Sequence, residues 1–161
     1  MTDHITEMKQ MLAKARRTTN EDGFVVAALY KFADLPDYRE LQPVVQQLCD
    51  DAGALGTLLL AKEGINGTIC APAAGMKTIL EWLADEPRFE ALSLKFSFTI
   101  EQAFLRMKVR PKNEIVTMGV PQINPAQQTG TYVDANEWNS LIADPDVMVV
   151  DTRNTYETAI G

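Results

Sequence analysis

The sequence predicts an α+β fold: a split βαβ, or ferredoxin-like, unit with an antiparallel sheet and helices on one of its faces. Two observations carry that prediction. Between Phe24 and Ile100 the apolar patterning runs strand, helix, strand, strand, helix, strand. The last of these segments alternates strictly, Leu92, Leu94, Phe96, Phe98 and Ile100 against Ser93, Lys95, Ser97 and Thr99, so one face of its strand stays wet.

Each element has its own signal. Ile5, Met8, Met11, Leu12 and Ala15 recur at helical spacing, which predicts an N-terminal helix within residues 1–20 ahead of a domain at 21–115. Phe24–Phe32 is apolar except for Lys31 and reads as a central strand covered on both faces. Pro36 suits the first turn of a second helix, whose apolar face is Leu41, Val44, Val45, Leu48, Cys49 and Ala52. Thr57–Ala61 and Thr68–Ala71 read as short strands around a turn, Lys62–Gly67, rich in residues that tolerate positive φ. Pro72 leads into a third helix with Met76, Ile79, Leu80 and Leu83 on its apolar face. Leu105–Arg110 reads as a further strand extending the sheet.

Composition narrows the function classes. The chain has 161 residues, 15 basic and 22 acidic, for a net charge of −7. That excludes a globally basic nucleic-acid binder while leaving room for a local basic patch. No apolar run approaches the ~20 residues of a membrane span, and Met1–Lys9 shows no secretory pattern, so the expectation is a cytoplasmic protein without a membrane partner. Two cysteines, Cys49 and Cys70, and one histidine, His4, are too few for a disulfide scaffold or a four-ligand zinc site. No metal or resident cofactor is expected, and both cysteines read as core residues.

After Ile115 the character changes. Val116–Gly130, with its prolines, glutamines and glycines, reads as a linker. Asp134 then caps a short helix, with Glu137 placed to reach back and Trp138, Leu141 and Ile142 on the buried face. Val147–Val150 reads as a fully buried strand, which needs neighbours on both sides. Too few residues surround it for an independent core, so 131–161 is expected to be the opening of a second, cut domain.

The candidate binding residues follow from charge and spacing. Arg106, Lys108, Arg110 and Lys112 alternate with apolar neighbours, so a strand through Lys112 would project all four from one face. Such a row can hold phosphates, or it can merely protect an edge strand from pairing with another chain. Lys62, Glu63 and Asn66 sit in the expected turn. They serve either turn geometry or function, with Lys62 and Asn66 facing RNA and Glu63 lining an interface to the second domain. Asp151 and Arg153 can pair at the end of the Val147–Val150 segment. An RNA-recognition motif would carry aromatics on the third strand, where Gly67–Ala71 has none. An acylphosphatase cradle would place a basic residue within Ala33–Tyr38, which also has none.

Two sets of motifs resemble a known family. Val147–Glu157, with Asp151-x-Arg153 and then Glu157, resembles the opening of a rhodanese domain. Lys62–Thr68 and Lys108–Gly119 resemble segments of the oxygen-dependent tRNA uridine hydroxylases, which join an acylphosphatase-like (ferredoxin-like) domain to a rhodanese domain. The resemblance implies an enzyme that converts the wobble uridine to 5-hydroxyuridine using molecular oxygen and a reductant. Its implied partner is the anticodon region of tRNA rather than DNA. The family's reactive cysteine would lie beyond Gly161, which implies that this stretch alone is inactive. Asp151 and Arg153 would brace the active-site loop rather than do chemistry, and Glu157 completes the rhodanese structural motif. A rhodanese-type sulfurtransferase and a non-catalytic RNA-binding or interaction module are the alternatives.

Overall fold

A computed structural model of the chain describes residues 2–19, 23–117, 119–120, 130–131 and 133–160. They fall into two compact units, Met1–Gln128 and Thr129–Gly161. The first unit holds helix α1 (Thr2–Thr19), strand β1 (Phe24–Phe32), helix α2 (Tyr38–Asp51), strands β2 (Leu55–Ala61) and β3 (Gly64–Pro72), helix α3 (Ala73–Asp85), and strands β4 (Ser93–Thr99) and β5 (Met107–Pro111).

The sheet order is β4-β1-β3-β2-β5. Its first four strands pair antiparallel, as the split βαβ arrangement requires. The expectation of an antiparallel sheet is corrected at one edge, where β5 runs parallel to β2 with Val109 opposite Leu58. β4 and β5 stand at opposite edges, so the chain crosses from one edge of the sheet to the other between Thr99 and Met107. β5 runs opposite to β4, and because β4 is antiparallel to β2, that direction sets β5 parallel to β2.

Strand periodicity assigns the two faces. Val25, Ala27, Leu29, Leu58, Leu60, Ile65, Ile69, Leu94 and Val109 are buried in one core with residues of the helices. In that core α2 packs on β2 and β5, α3 on β1 and β3, and α1 on β4. Met76, Ile79, Leu80 and Leu83 of α3 are all buried, as the spacing predicts. Each such side chain contributes roughly 1.5–3 kcal/mol relative to exposure. In α2 the buried set is Leu41, Val45 and Cys49, whereas Val44 is half exposed. The contact stripe is thus narrower than the apolar stripe. Pro36 precedes the helix, which starts after Asp37.

The hairpin differs from its expected form. The turn is only Lys62-Glu63, and Gly64–Gly67 belongs to β3, so Asn66 sits in a strand opposite Tyr30 and Leu59. The glycines serve close approach of strands, and Gly64, directly after the turn, also takes the expected positive φ, at 143°. A Cβ on Gly67 would lie 2.1 Å from the Thr57 carbonyl oxygen, and one on Gly64 would lie 2.0 Å from that of Lys31.

In the second unit, α4 (Ala135–Ile142) and α5 (Thr155–Thr158) are the described elements. Asp134 caps α4 by accepting from the Asn136 N–H at 3.1 Å. The reach-back bond appears at α5 instead, where Glu157 Oε2 accepts the Asn154 N–H at 2.8 Å. The expectation of a buried Val147–Val150 strand is corrected. Those residues are in no ladder, and Met148, Val149 and Val150 are 86%, 57% and 70% exposed. Trp138, Leu141 and Ile142 are also exposed rather than buried. Apolar residues form a strand only with strands to pair with, and none is available among the described residues of this unit. The expected linker lies largely outside the described residues.

Candidate nucleic-acid interface

β5 is the edge strand, and its burial pattern sorts its side chains. Val109 is buried toward α2, so Lys108 and Arg110, its neighbours on either side, project from the opposite, open face of the sheet. Arg106 and Lys112 lie just outside the strand, which corrects its expected span of 105–110. Backbone pairing nevertheless continues through both: Gly56 N–H donates to Arg106 O at 3.1 Å, and Lys112 N–H donates to Leu60 O at 2.7 Å. The extended run thus holds all four cations. Proximity is visible in the charges, because Arg110 and then Arg106 make the protonated form of Lys108 less favourable and lower its pKa. Among the described residues none of the four is paired with a carboxylate.

The outward edge of β5 is closed by side chains. Gln42 Nε2 donates to Val109 O at 3.1 Å, and Val109 N–H donates to Gln46 Oε1 at 2.9 Å. Two glutamines one helical turn apart on α2 thus satisfy the edge backbone that another chain would otherwise pair with. Edge protection at this point is already provided, which weakens the bland reading of the four cations. Sequence reasoning missed this pair. Its signal was two polar residues, Gln42 and Gln46, at i, i+4 beside the apolar face of α2.

Glu63 and Asn66 converge on one residue. Glu63 Oε1 accepts the Ile115 N–H at 2.6 Å, and Asn66 Nδ2 donates to Ile115 O at 3.2 Å. Ile115 is itself 3% exposed. These side chains clamp the segment that follows β5, and the amide of Asn66 is engaged there. Lys62 is exposed in the turn, at the same end of β2 as Lys112. Its backbone oxygen accepts the Leu35 N–H at 2.8 Å.

Neither thiol is suited to nucleophilic chemistry, which needs a thiolate. Cys49 is fully buried, and burial, reinforced by the neighbouring Asp50 charge, pushes its pKa up to about 12. Burial also raises that of Cys70. No group of three His, Cys, Asp or Glu among the described residues could hold a metal. No described helix is long and apolar enough to cross a membrane.

In the second unit, Arg153 and Asp151 form the expected pair. The guanidinium meets the carboxylate at 2.9 Å from Nη2 and 3.1 Å from Nε, and the Arg153 N–H adds a third bond at 3.0 Å. These bonds hold the Asp151 carboxyl below its ordinary pKa.

A four-stranded antiparallel core with helices on one face and a cationic parallel strand at its edge defines an acylphosphatase-like α+β domain. The family model described as the UPF0176 acylphosphatase like domain matches residues 24–115, and the chain belongs to that family. Among its relatives is a tRNA uridine(34) hydroxylase of Rhizobium leguminosarum, 54% identical over 143 residues, which are 89% of this chain and 46% of the relative. The protein of the same name from Sinorhizobium fredii is 55% identical over 154 residues, 96% of this chain and 49% of the relative. That from Agrobacterium fabrum is 55% identical over 138 residues, 86% and 44% respectively. The chain thus spans about half the length of the curated relatives it matches.

Proposed function

We propose that this chain supplies the tRNA-holding portion of an enzyme that hydroxylates uridine 34 of tRNA, acting in the cytoplasm on the anticodon region. The observation that carries the reading is the cation row Arg106, Lys108, Arg110 and Lys112, without carboxylate partners among the described residues, on a strand whose edge is already closed. Cations in this arrangement meet phosphates and supply affinity and position rather than sequence reading. Identity above 50% to hydroxylases over most of the chain supports the reaction class.

Residues 131–161 are the start of a rhodanese domain in this reading, with Asp151, Arg153 and Glu157 bracing a loop. The reactive cysteine is neither Cys49 nor Cys70, because both are buried and held as thiols at neutral pH. Oxygen and a reductant are the co-substrates that the resemblance implies. Nucleoside analysis of tRNA from cells lacking the gene tests the reading, with loss of 5-hydroxyuridine expected. Retained 5-hydroxyuridine together with loss of thiolated nucleosides would overturn it in favour of sulfur transfer.

A further inference from the structure

The strand register lines up a second feature of the open face. Lys95 of β4 lies opposite Ala28 of β1, Ala28 opposite Thr68 of β3, Thr68 opposite Thr57 of β2, and Thr57 opposite Lys108 of β5. This is one straight row across all five strands, with a lysine at each end and small residues between. Four inter-strand gaps make it about 19 Å long. Ala28, Thr57 and Lys95 are exposed, and Thr68 and Lys108 are partly exposed, so the row is open to solvent. The adjacent row carries Tyr30 and Arg110. Tyr30 is half-buried, its ring held edge-on against Phe32 with centroids 5.1 Å apart.

The charges on this face are one-sided. At the open-face positions of the five strands, the charged residues are Lys95, Lys108 and Arg110, and no carboxylate is among them. That contrasts with the net −7 of the whole chain. The face is also framed. At one end the Ala103 backbone, between β4 and β5, lies close to Cys70, which is fully buried although it stands at an open-face position. At the other end Ile115 is clamped to Asn66.

We propose that the row from Lys95 to Lys108 seats a single-stranded segment of RNA laid across the strands, with a base stacked on Tyr30. The inference rests on the tRNA reading above and deepens it. A cation at each edge fits a polyanion that crosses the sheet rather than one that follows β5. The small floor of Ala28, Thr68 and Thr57 lets a sugar–phosphate chain approach closely. Single strands are recognised by stacking on aromatics over a positive surface, whereas duplex RNA hides its base faces. The aromatic here stands on β1, not on the third strand where an RNA-recognition motif carries it.

The test is binding of the chain to a fluorescently labelled stem–loop RNA with a uridine-containing loop, and to a blunt duplex RNA of equal length, across a salt series. Lys95→Gln is expected to weaken stem–loop binding several-fold and to lower the salt slope by about 0.7, the single-strand value for one phosphate contact. Lys95→Arg should restore both. Tyr30→Leu, which keeps the apolar volume, should weaken stem–loop binding about tenfold with little effect on duplex binding. Unchanged thermal midpoints show that the variants fold. If Lys108→Gln weakens binding and Lys95→Gln does not, the RNA follows the β5 edge. The inference then fails while the tRNA reading stands. If neither variant changes affinity or salt slope, both fail. Equal affinity for duplex and stem–loop also overturns the inference.

Discussion

Glu63 and Ile115 stand 52 positions apart in the chain, and the Glu63 carboxylate accepts the Ile115 N–H at 2.6 Å. The Val116 N–H points to the same oxygen at 3.5 Å. The bond joins the β2–β3 turn to the segment after β5, and so fixes the end of the cationic strand from the neighbouring strand pair. Removing the acceptor leaves the buried Ile115 donor unmet, which costs about 1–3 kcal/mol. Glu63→Ala should lower stability by that order and speed amide exchange at Ile115. Glu63→Gln, which keeps an acceptor oxygen, should recover part of both. A Glu63→Ala protein with native exchange at Ile115 would show that the clamp does not hold the segment.

The four cations of the extended run 106–112 should act as separable phosphate contacts. Neutralising Arg106 or Arg110 to Gln should reduce the slope of log affinity against log salt by about 0.7 per residue for single-stranded RNA. Stability should change little, because both side chains are exposed. Titrations at several salt concentrations measure this. Parallel loss of affinity at every salt concentration, with no change in slope, would point to a folding defect instead.

Gly67 should tolerate no side chain. Its missing Cβ would sit 2.1 Å from the Thr57 carbonyl oxygen, which is β2 backbone and cannot swing aside. Gly67→Ala should cost about 1–3 kcal/mol by overpacking, read as a lowered denaturation midpoint. A midpoint equal to that of the parent would mean that the two strands separate freely.

Most of the core of the fold is legible in the sequence. β1 has the predicted bounds, but its expected cover on both faces is corrected, since Ala28 is exposed on the open face; α3 buries the predicted face, because it is a long segment with one clear period. The alternation of β4 also marks its wet face. What could not be read are long-range relations. Nothing local in Met107–Pro111 distinguishes parallel pairing with β2 from antiparallel extension. Gly64 and Gly67 look like turn residues, yet the structure uses both for close strand approach, Gly64 also at a positive φ of 143°, so Asn66 reads as a turn residue but lies in a strand. Lys95 carries no signal until the register sets it in line with Lys108.

Acid should weaken one particular tie. Arg88 bonds Glu86 through Nε and Nη2 at 2.9 and 2.8 Å, and also pairs with Asp37, just ahead of α2. Hydrogen bonds from Arg88 hold both carboxyls below their ordinary pKa values. Once unfolded, the two groups bind protons at higher pH than in the fold. Their contribution is therefore present above the ordinary carboxylate range and is lost as pH falls through the lowered folded values. Arg88→Met should flatten the acid limb of the midpoint-versus-pH curve. A limb of unchanged slope would assign acid sensitivity elsewhere.

Alkali should act through Cys49. Its pKa rises from an ordinary 9.0 to about 12 in the fold, because burial disfavours the thiolate. The unfolded chain ionises first, so stability should be complete below about pH 9 and decline toward pH 12. Cys49→Ala should remove part of that decline. Native protein should resist thiol-labelling reagents at neutral pH, with both cysteines reacting once it is unfolded. Fast labelling of Cys49 in the native state would contradict its burial.

The placement of β4 and β5 at the two edges of the sheet has a kinetic consequence. Gln42 and Val109 are separated by 67 positions, and Phe24 of β1 pairs with Thr99 of β4 across 75, so both edge strands add contacts of long sequence separation. Closing such a loop is entropically costly and is rewarded only once its docking surface exists. β4 and β5 should therefore join a preformed β1-β3-β2 core late in folding. In a stopped-flow refolding experiment, RNA capture should lag behind burial of Trp82, which packs against Phe89 in the core. Competence for RNA is then a property of the finished chain, and a partly folded intermediate would have no assembled surface with which to hold its substrate.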